Sequence, residues 1–85
     1  MIEDIYYQRD SARGVHATFG WFVEEVGELA RALRGGTPER LRDEFADVFA
    51  WLSTLASIAG VDLSQAAQKY AGGCPKCSQT PCACP

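Results

Sequence analysis

Two short stretches of the chain repeat one acidic pattern. Residues 22–29 read FVEEVGEL and residues 41–48 read LRDEFADV. Each stretch carries two carboxylates three residues apart within an apolar repeat, Glu25 with Glu28 and Glu44 with Asp47. Hard cations such as Mg²⁺ and Mn²⁺ prefer oxygen ligands, and carboxylates at i and i+3 of a helix can share one ion. The doubled pattern therefore predicts a divalent-metal site where the two stretches meet.

The apolar residues around these acids recur at helical spacing, which predicts two long helices. We expect the first to begin with Thr18 as its N-cap, since the hydroxyl can accept a backbone N–H, and to end at glycines 35–36. The second should begin at Thr37 and Pro38 and end at Gly60. Its apolar side chains form a heptad-like seam for packing on another helix: Leu41, Phe45, Val48, Leu52, Leu55 and Ala59.

The short glycine link makes the two long helices antiparallel neighbours. At roughly 100° per residue, Glu25 lies about 60° and Glu28 about 120° from the apolar centre of the first helix. Glu44 and Asp47 take the same offsets on the second helix. The four carboxylates can therefore converge at the border of the core.

Convergence of four carboxylates is costly, because they repel one another and lose water, and a bound cation would remove that cost. The alternative is that these acids form solvated helix faces with partners one turn away, as most helical acids do. Few lysines or arginines stand where they would neutralise the four acids, and Arg31 and Arg40 are the nearest candidates of that kind. Matching offsets on two neighbouring helices favour the metal site over the solvated faces.

The remaining segments predict shorter elements around the hairpin. A short helix from Ile2 should end by Gly14, and Asp62, with a glutamine three residues on, should cap a helix through about Tyr70. An 85-residue chain allows one small domain with a limited core. The predicted fold is all-α, a helical hairpin extended to a small bundle over residues 1–73 and completed by assembly into a homodimer or homotetramer.

Composition excludes several classes of function. The net charge is −3 with no basic stripe, so nucleic-acid binding is not expected. The most apolar stretch, residues 45–61, is shorter than the ~20 residues of a membrane span, and no membrane partner is expected. The first ten residues show no secretory signal, which predicts a cytoplasmic, reducing location.

Residues 74–85 form a cysteine-rich tail with four cysteines and three prolines, which predicts an irregular knuckle. Cys74 and Cys77 have a common metal-ligand spacing, whereas Cys82 and Cys84, with one intervening residue, are less usual. Four thiols suit one structural Zn²⁺ of the Cys₄ type. A disordered or redox-labile tail and an iron site remain the alternatives.

Several other side chains could contribute to substrate binding. Trp21 and Trp51 project on the acidic edge and could stack on a nucleobase, although filling an interface between subunits is the preferred interpretation. The basic residues before the first long helix could reach a phosphate bound to a neighbouring subunit, but a solvated loop is the preferred interpretation. This group is Arg9, Arg13 and His16. With a single histidine the chain lacks the Glu-x-x-His pairs of di-iron bundles.

The spaced acids, Glu24-Glu25-x-x-Glu28 and then Glu44-x-x-Asp47, resemble the motif of the all-alpha nucleoside triphosphate pyrophosphohydrolases, the MazG-like group. The similarity runs from about Arg13 to Tyr70 and includes AGVDL at residues 59–63 and Lys69-Tyr70. The cysteine tail is similar to one found in a subset of short MazG-like proteins. The chain has no asparagine, whereas some related enzymes grip substrate with one, so the base preference is not readable.

The resemblance implies Mg²⁺-dependent (or Mn²⁺-dependent) hydrolysis of a nucleoside triphosphate to monophosphate and pyrophosphate, in the manner of nucleotide-pool house-cleaning. The motif acids would hold the metal: Glu25, Glu28, Glu44 and Asp47. Glu24 would either support the metal ligands without touching the ion or help to position the attacking water. Lys69 could contact a substrate phosphate or be a surface lysine. Two other functions stay open, a non-catalytic helical interaction module with a zinc knuckle and a hydrolase of another pyrophosphate-containing substrate.

Overall fold

The computed structural model describes residues 2–85, and within them it contains four α-helices and no strand. The helices are α1 (Ile2–Arg13), α2 (Val15–Gly35), α3 (Pro38–Ile58) and α4 (Leu63–Ala67). A 3₁₀ turn, Gln68–Tyr70, follows α4 directly. The prediction of an all-α fold is confirmed.

The hairpin of α2 and α3 is the main packing unit, and its link forms as the sequence predicts. The N–H of Gly36 donates to the Ala32 carbonyl at 2.8 Å, and a Cβ at Gly36 would lie only 2.9 Å from that oxygen. Only glycine fits this close approach. Thr37 then caps α3, because its Oγ1 accepts from the N–H of Arg40 at 3.2 Å, and Pro38 occupies the first helical position.

The start of α2 differs from the prediction. Its N-cap is Gly14, with φ of +91°, and no side chain caps it. Thr18 is therefore not a cap: it lies inside the helix, fully buried, where its Oγ1 accepts from Nη1 of Arg13 at 3.4 Å. The expectation of a cap at Thr18 was wrong because residues 15–17 continue the helix back to the glycine, and glycine tolerates positive φ without strain.

The C-terminal end of α3 leads into the short elements as predicted. Gly60 turns the chain with φ of +80°, and Asp62 caps α4 by accepting from the N–H of Gln65 at 3.1 Å. Residues after Tyr70 form turns without a regular element. Within residues 2–85, no single helix has the length and apolar character to cross a membrane; α3 and the Leu63–Tyr70 segment reach that threshold only as a pair bent by 109°.

The single chain buries very little apolar surface. Ala32 is the one buried apolar residue among those described, while Phe19, Val23, Phe45 and Phe49 each stay about half exposed. The accessible surface is 6418 Å², against about 5,000 Å² for a compact protein of this mass. The radius of gyration is 15.6 Å, against about 12 Å for a compact domain. The hairpin therefore presents a broad uncovered apolar face.

Candidate metal centre

Three carboxylates from the two long helices come together at the edge of the hairpin. One oxygen from each of Glu25 on α2 and Glu44 and Asp47 on α3 lies within 4.8 Å of the others. Glu25 and Glu44 are half-buried and Asp47 is exposed. The cluster forms because Glu44 and Asp47 stand one turn apart on α3, and packing brings Glu25 against that turn.

The electrostatics of the cluster show uncompensated negative charge. Burial raises the pKa of the Glu25 carboxyl above its ordinary value, and the charges of Asp47 and Glu44 raise that pKa further. One oxygen of Glu44, Oε2, is buried and has no hydrogen-bond partner among the described residues. Buried polar atoms of this kind are rare in folded proteins, since leaving one unpaired costs about 1–3 kcal/mol.

Glu28 lies outside this group of three. Its Oε1 accepts from Nη1 of Arg31 at 3.0 Å, and its Oε2 lies 3.8 Å from Nη2 of Arg40. Arg31 and Arg40, which the sequence analysis named as candidates to neutralise the acids, therefore pair with Glu28. Glu24 is exposed, and its charge also contributes to the raised pKa of Glu25.

The two tryptophans stack on each other beside the acids. The ring centroids of Trp21 and Trp51 are 6.4 Å apart and the rings are 20° from parallel. The guanidinium carbon of Arg13 lies 4.9 Å from the Trp51 ring centroid, within the range of a cation–π interaction. Lys69 lies on the 3₁₀ turn, where its Nζ is 5.8 Å from the Tyr70 ring.

A solvated loop at residues 9–16 was the wrong expectation. Arg9 and Arg13 lie on α1, and His16 lies in the first turn of α2, where it is exposed. Arg13 is half-buried because Asp10, which is only 4% exposed, accepts from its Nη2 at 2.9 Å. The ion pair holds the Arg13 guanidinium against α3.

Asp10 is a residue of the candidate site that the sequence prediction missed. Its signal was present in the i, i+3 spacing of Asp10 and Arg13, which places the two side chains on one helix face. The same spacing is common on solvated helices. The Asp10–Arg13 pair differs from those pairs by its burial, which the sequence does not show.

A cavity of about 250 Å³ opens next to the acid cluster, between α1 and α3. Asp47 belongs to both the cluster and the cavity wall. Arg9 and Arg13 supply cationic groups to the wall, and Trp51 supplies an aromatic ring. Trp21 and Lys69 are not among the residues that line it. A larger open hollow, about 450 Å³ near the C-terminal end of α3, contains none of the clustered acids.

The donor set fits a hard divalent cation. All three close ligand groups are carboxylates, and one of them, Glu44, has a buried oxygen without a hydrogen-bond partner among the described residues. A cation would also oppose the repulsion that raises the pKa of Glu25. Glu28 stands one helical turn from Glu25 and could join only by exchanging its arginine partners.

The four cysteines also come together in space. Their Sγ atoms all lie within 4.8 Å of one another, and all four cysteines are free of disulfides. Hydrogen bonds from the backbone N–H groups of Ala83 and Gln79 lower the pKa of Cys77 to about 6, whereas neighbouring thiols raise the pKa of Cys84 to about 11. The sequence prediction of one four-thiol cluster agrees with this geometry.

The sequence matches the model of a known protein family. The family model of the MazG nucleotide pyrophosphohydrolase domain matches residues 13–78. The matched range contains all three clustered carboxylates and extends over most of the chain. No curated protein matches the sequence.

Proposed function

The chain belongs to the MazG nucleotide pyrophosphohydrolase family, and from that premise we propose that it hydrolyses a nucleoside triphosphate at the α–β bond. The products would be a nucleoside monophosphate and pyrophosphate, and Mg²⁺ or Mn²⁺ would be required. Membership supports nucleotide pyrophosphohydrolase activity in general. The observation that carries the finer proposal is the group of three close carboxylates with one unpaired buried oxygen.

Glu25, Glu44 and Asp47 would hold the metal, and Glu28 would complete the set on releasing Arg31 and Arg40. When bound, the ion would neutralise phosphate oxygens and make a nearby water more acidic. Without a cation, the same carboxylates would repel a polyphosphate, so the metal requirement follows from the charge of the site.

Glu24 is the proposed residue for positioning the attacking water. It is adjacent to Glu25 in sequence, is exposed and carries no hydrogen bond to a protein group in the described structure that would hold it elsewhere. A free carboxylate at this border can accept a proton from water as the bond to the α-phosphorus forms. The pyrophosphate leaving group would then depart, and cations held at the site would oppose its negative charge.

The cavity beside Asp47 is the proposed nucleotide site. Arg13 would contact phosphate, and the buried Asp10 would keep its guanidinium in place. Trp51 faces the same cavity and would stack on the base, a contact worth ~1–3 kcal/mol per base. Trp21 would act by supporting the Trp51 ring. Lys69 remains a proposed phosphate contact, without support from the cavity lining.

We further propose that the protein works as a homodimer or homotetramer in the cytoplasm. The chain exposes about 1,400 Å² more than a compact protein of its mass. That excess is larger than the ~800 Å² that each partner buries in a standard interface. The half-exposed phenylalanines of α2 and α3 are the surface that a second copy would cover. The interpretation preferred from the sequence, that Trp21 and Trp51 fill an interface between subunits, would be tested by solving the structure of that assembly.

The test is a panel of nucleoside triphosphates assayed for pyrophosphate with and without Mg²⁺, with product analysis. Monophosphate plus pyrophosphate, formed only with the metal, is expected. Glu44→Gln should abolish turnover, whereas Glu39→Gln, an exposed acid in the first turn of the same helix, should not. Diphosphate and phosphate as products would refute α–β cleavage. No turnover of any triphosphate by folded protein would favour another pyrophosphate-containing substrate or a non-catalytic interaction module.

A further inference from the structure

The tail after the 3₁₀ turn has a defined backbone but little apolar surface to hold it. The N–H of Cys74 donates to the Gln79 carbonyl at 3.0 Å, and the N–H of Ser78 donates to the Cys74 carbonyl at 2.7 Å. Ser78 adopts a φ of +61°, which is costly for a residue with a side chain. Twelve residues of this composition cannot be ordered by hydrophobic burial, so another interaction must stabilise the turn.

The sulfur positions identify that interaction. The Sγ atoms of Cys74 and Cys84 are 3.7 Å apart, and those of Cys77 and Cys82 are 4.0 Å apart. A tetrahedron of thiolates at the zinc–sulfur distance of about 2.3 Å has sulfur–sulfur edges of about 3.8 Å. These two of the six edges agree with that value within the tolerance of a metal site.

Backbone groups already support the sulfurs as ligands. The N–H of Ala83 donates to Cys77 Sγ at 3.4 Å, and the N–H of Cys84 donates to Cys82 Sγ at 3.4 Å. Such bonds from the surrounding backbone orient thiolates and offset the negative charge of a four-thiolate centre.

Gly73 has the backbone that this closure requires. Its φ is +100°, and a Cβ there would lie 2.7 Å from Oγ1 of Thr80. Glycine at this position therefore lets residues 79–80 fold back against the start of the tail. The neighbouring Gly72 has open space around it, so the requirement is specific to Gly73.

We propose that Cys74, Cys77, Cys82 and Cys84 bind one structural Zn²⁺ that orders residues 74–85. All four coordination positions are thiolates, which leaves none for substrate, and each thiol loses its proton on binding. Zinc fits better than iron because Cys82 and Cys84 are exposed, and zinc does not change oxidation state in contact with oxygen. This site is independent of the proposed hydrolase reaction.

The test is metal analysis of the full chain, purified without a metal-affinity step. One zinc per chain is expected in the wild type and in Gln79→Ala, since only backbone groups of Gln79 take part. Cys82→Ser should lose the zinc. Far-UV circular dichroism of each variant should show the same helix content, because the hydrogen bonds of the tail lie within residues 70–84.

A second measurement tests the proposal without any variant, in case Cys82→Ser fails to fold. Co²⁺ added to the chelator-treated wild-type chain should give a thiolate charge-transfer band and the intense visible bands of a tetrahedral site, and Zn²⁺ should displace them. Iron in place of zinc in the purified chain, zinc retained in Cys82→Ser, or purified protein with two disulfides and no metal would each overturn the proposal.

Discussion

Replacing Glu44 by glutamine should make the metal-free protein more stable while removing its response to Mg²⁺. The change removes one charge that stands within 4.8 Å of two other carboxylates. Each such pair repels by about 1 kcal/mol in a water-like medium and by about 3.5 kcal/mol at an effective dielectric constant of 20. Because Asp47 is exposed and screening is strong there, we expect a net gain of about 1–3 kcal/mol.

The assay is thermal unfolding at fixed protein concentration, first with a chelator and then with added Mg²⁺. For a domain of this size, 1 kcal/mol corresponds to about 4–8 °C in Tm, so Glu44→Gln should raise the metal-free Tm measurably. Wild-type protein at a Mg²⁺ concentration 100 times its Kd should gain about 2.7 kcal/mol, a gain that the variant should lose. Glu39→Gln is the matched control and should lower stability slightly, by about 0.3–1 kcal/mol, because it removes an acid from a helix N-terminus.

Two results would refute this reasoning. A lower metal-free Tm for Glu44→Gln would mean that its carboxylate is stabilised by a partner rather than repelled. An undiminished Mg²⁺ response in that variant would mean that the ion binds elsewhere.

Three further predictions follow from the contacts. With a chelator present, the free energy of unfolding should fall as pH rises above 4.5, the ordinary pKa of glutamate, because the folded state holds the Glu25 proton to higher pH. Urea midpoints measured against pH should show this fall. The Glu25→Gln variant should show a flatter dependence on pH. Gly73→Ala should reduce zinc content while Gly72→Ala leaves it unchanged, since only the first creates a clash. Asp10→Asn should destabilise the fold by about 1–3 kcal/mol in urea titrations, because it leaves the half-buried Arg13 without its charged partner.

Sequence predicted the long helices well where local chemistry decides their ends. Thr37 and Pro38 start α3, and the glycine pair ends α2, through interactions within a few residues of each other. Thr18 was assigned wrongly for the opposite reason. Its hydroxyl suits a cap, but a buried contact with Arg13 and a continuous helix from Gly14 use it differently, and both depend on how α1 packs.

The sequence predicted that an acidic site forms between the two long helices, but it did not predict correctly which acids belong to that site. Periodicity placed Glu25, Glu44 and Asp47 on facing edges, and the structure brings them together. Glu28 has a helical spacing that suits the cluster equally well, yet its carboxylate pairs with Arg31 and Arg40 and lies outside the cluster. Which acid meets a cation depends on the register of one helix against the other and on side-chain reach, neither of which the hydrophobic pattern contains.

The arginine ion pairs of the described structure involve other acids and leave the three clustered carboxylates without a cation. Arg31 and Arg40 pair with Glu28, and Arg13 pairs with the buried Asp10. No arginine or lysine pairs with Glu25, Glu44 or Asp47 among the ion pairs of residues 2–85, although paired acids stand one turn away. A hairpin that needed only stability would gain from a cation or an apolar residue at this edge, because the cluster raises the pKa of Glu25 and leaves a Glu44 oxygen unpaired. A cluster that costs stability when empty is what a binding site for a diffusible cation requires, since the repulsion is relieved only when the ion arrives.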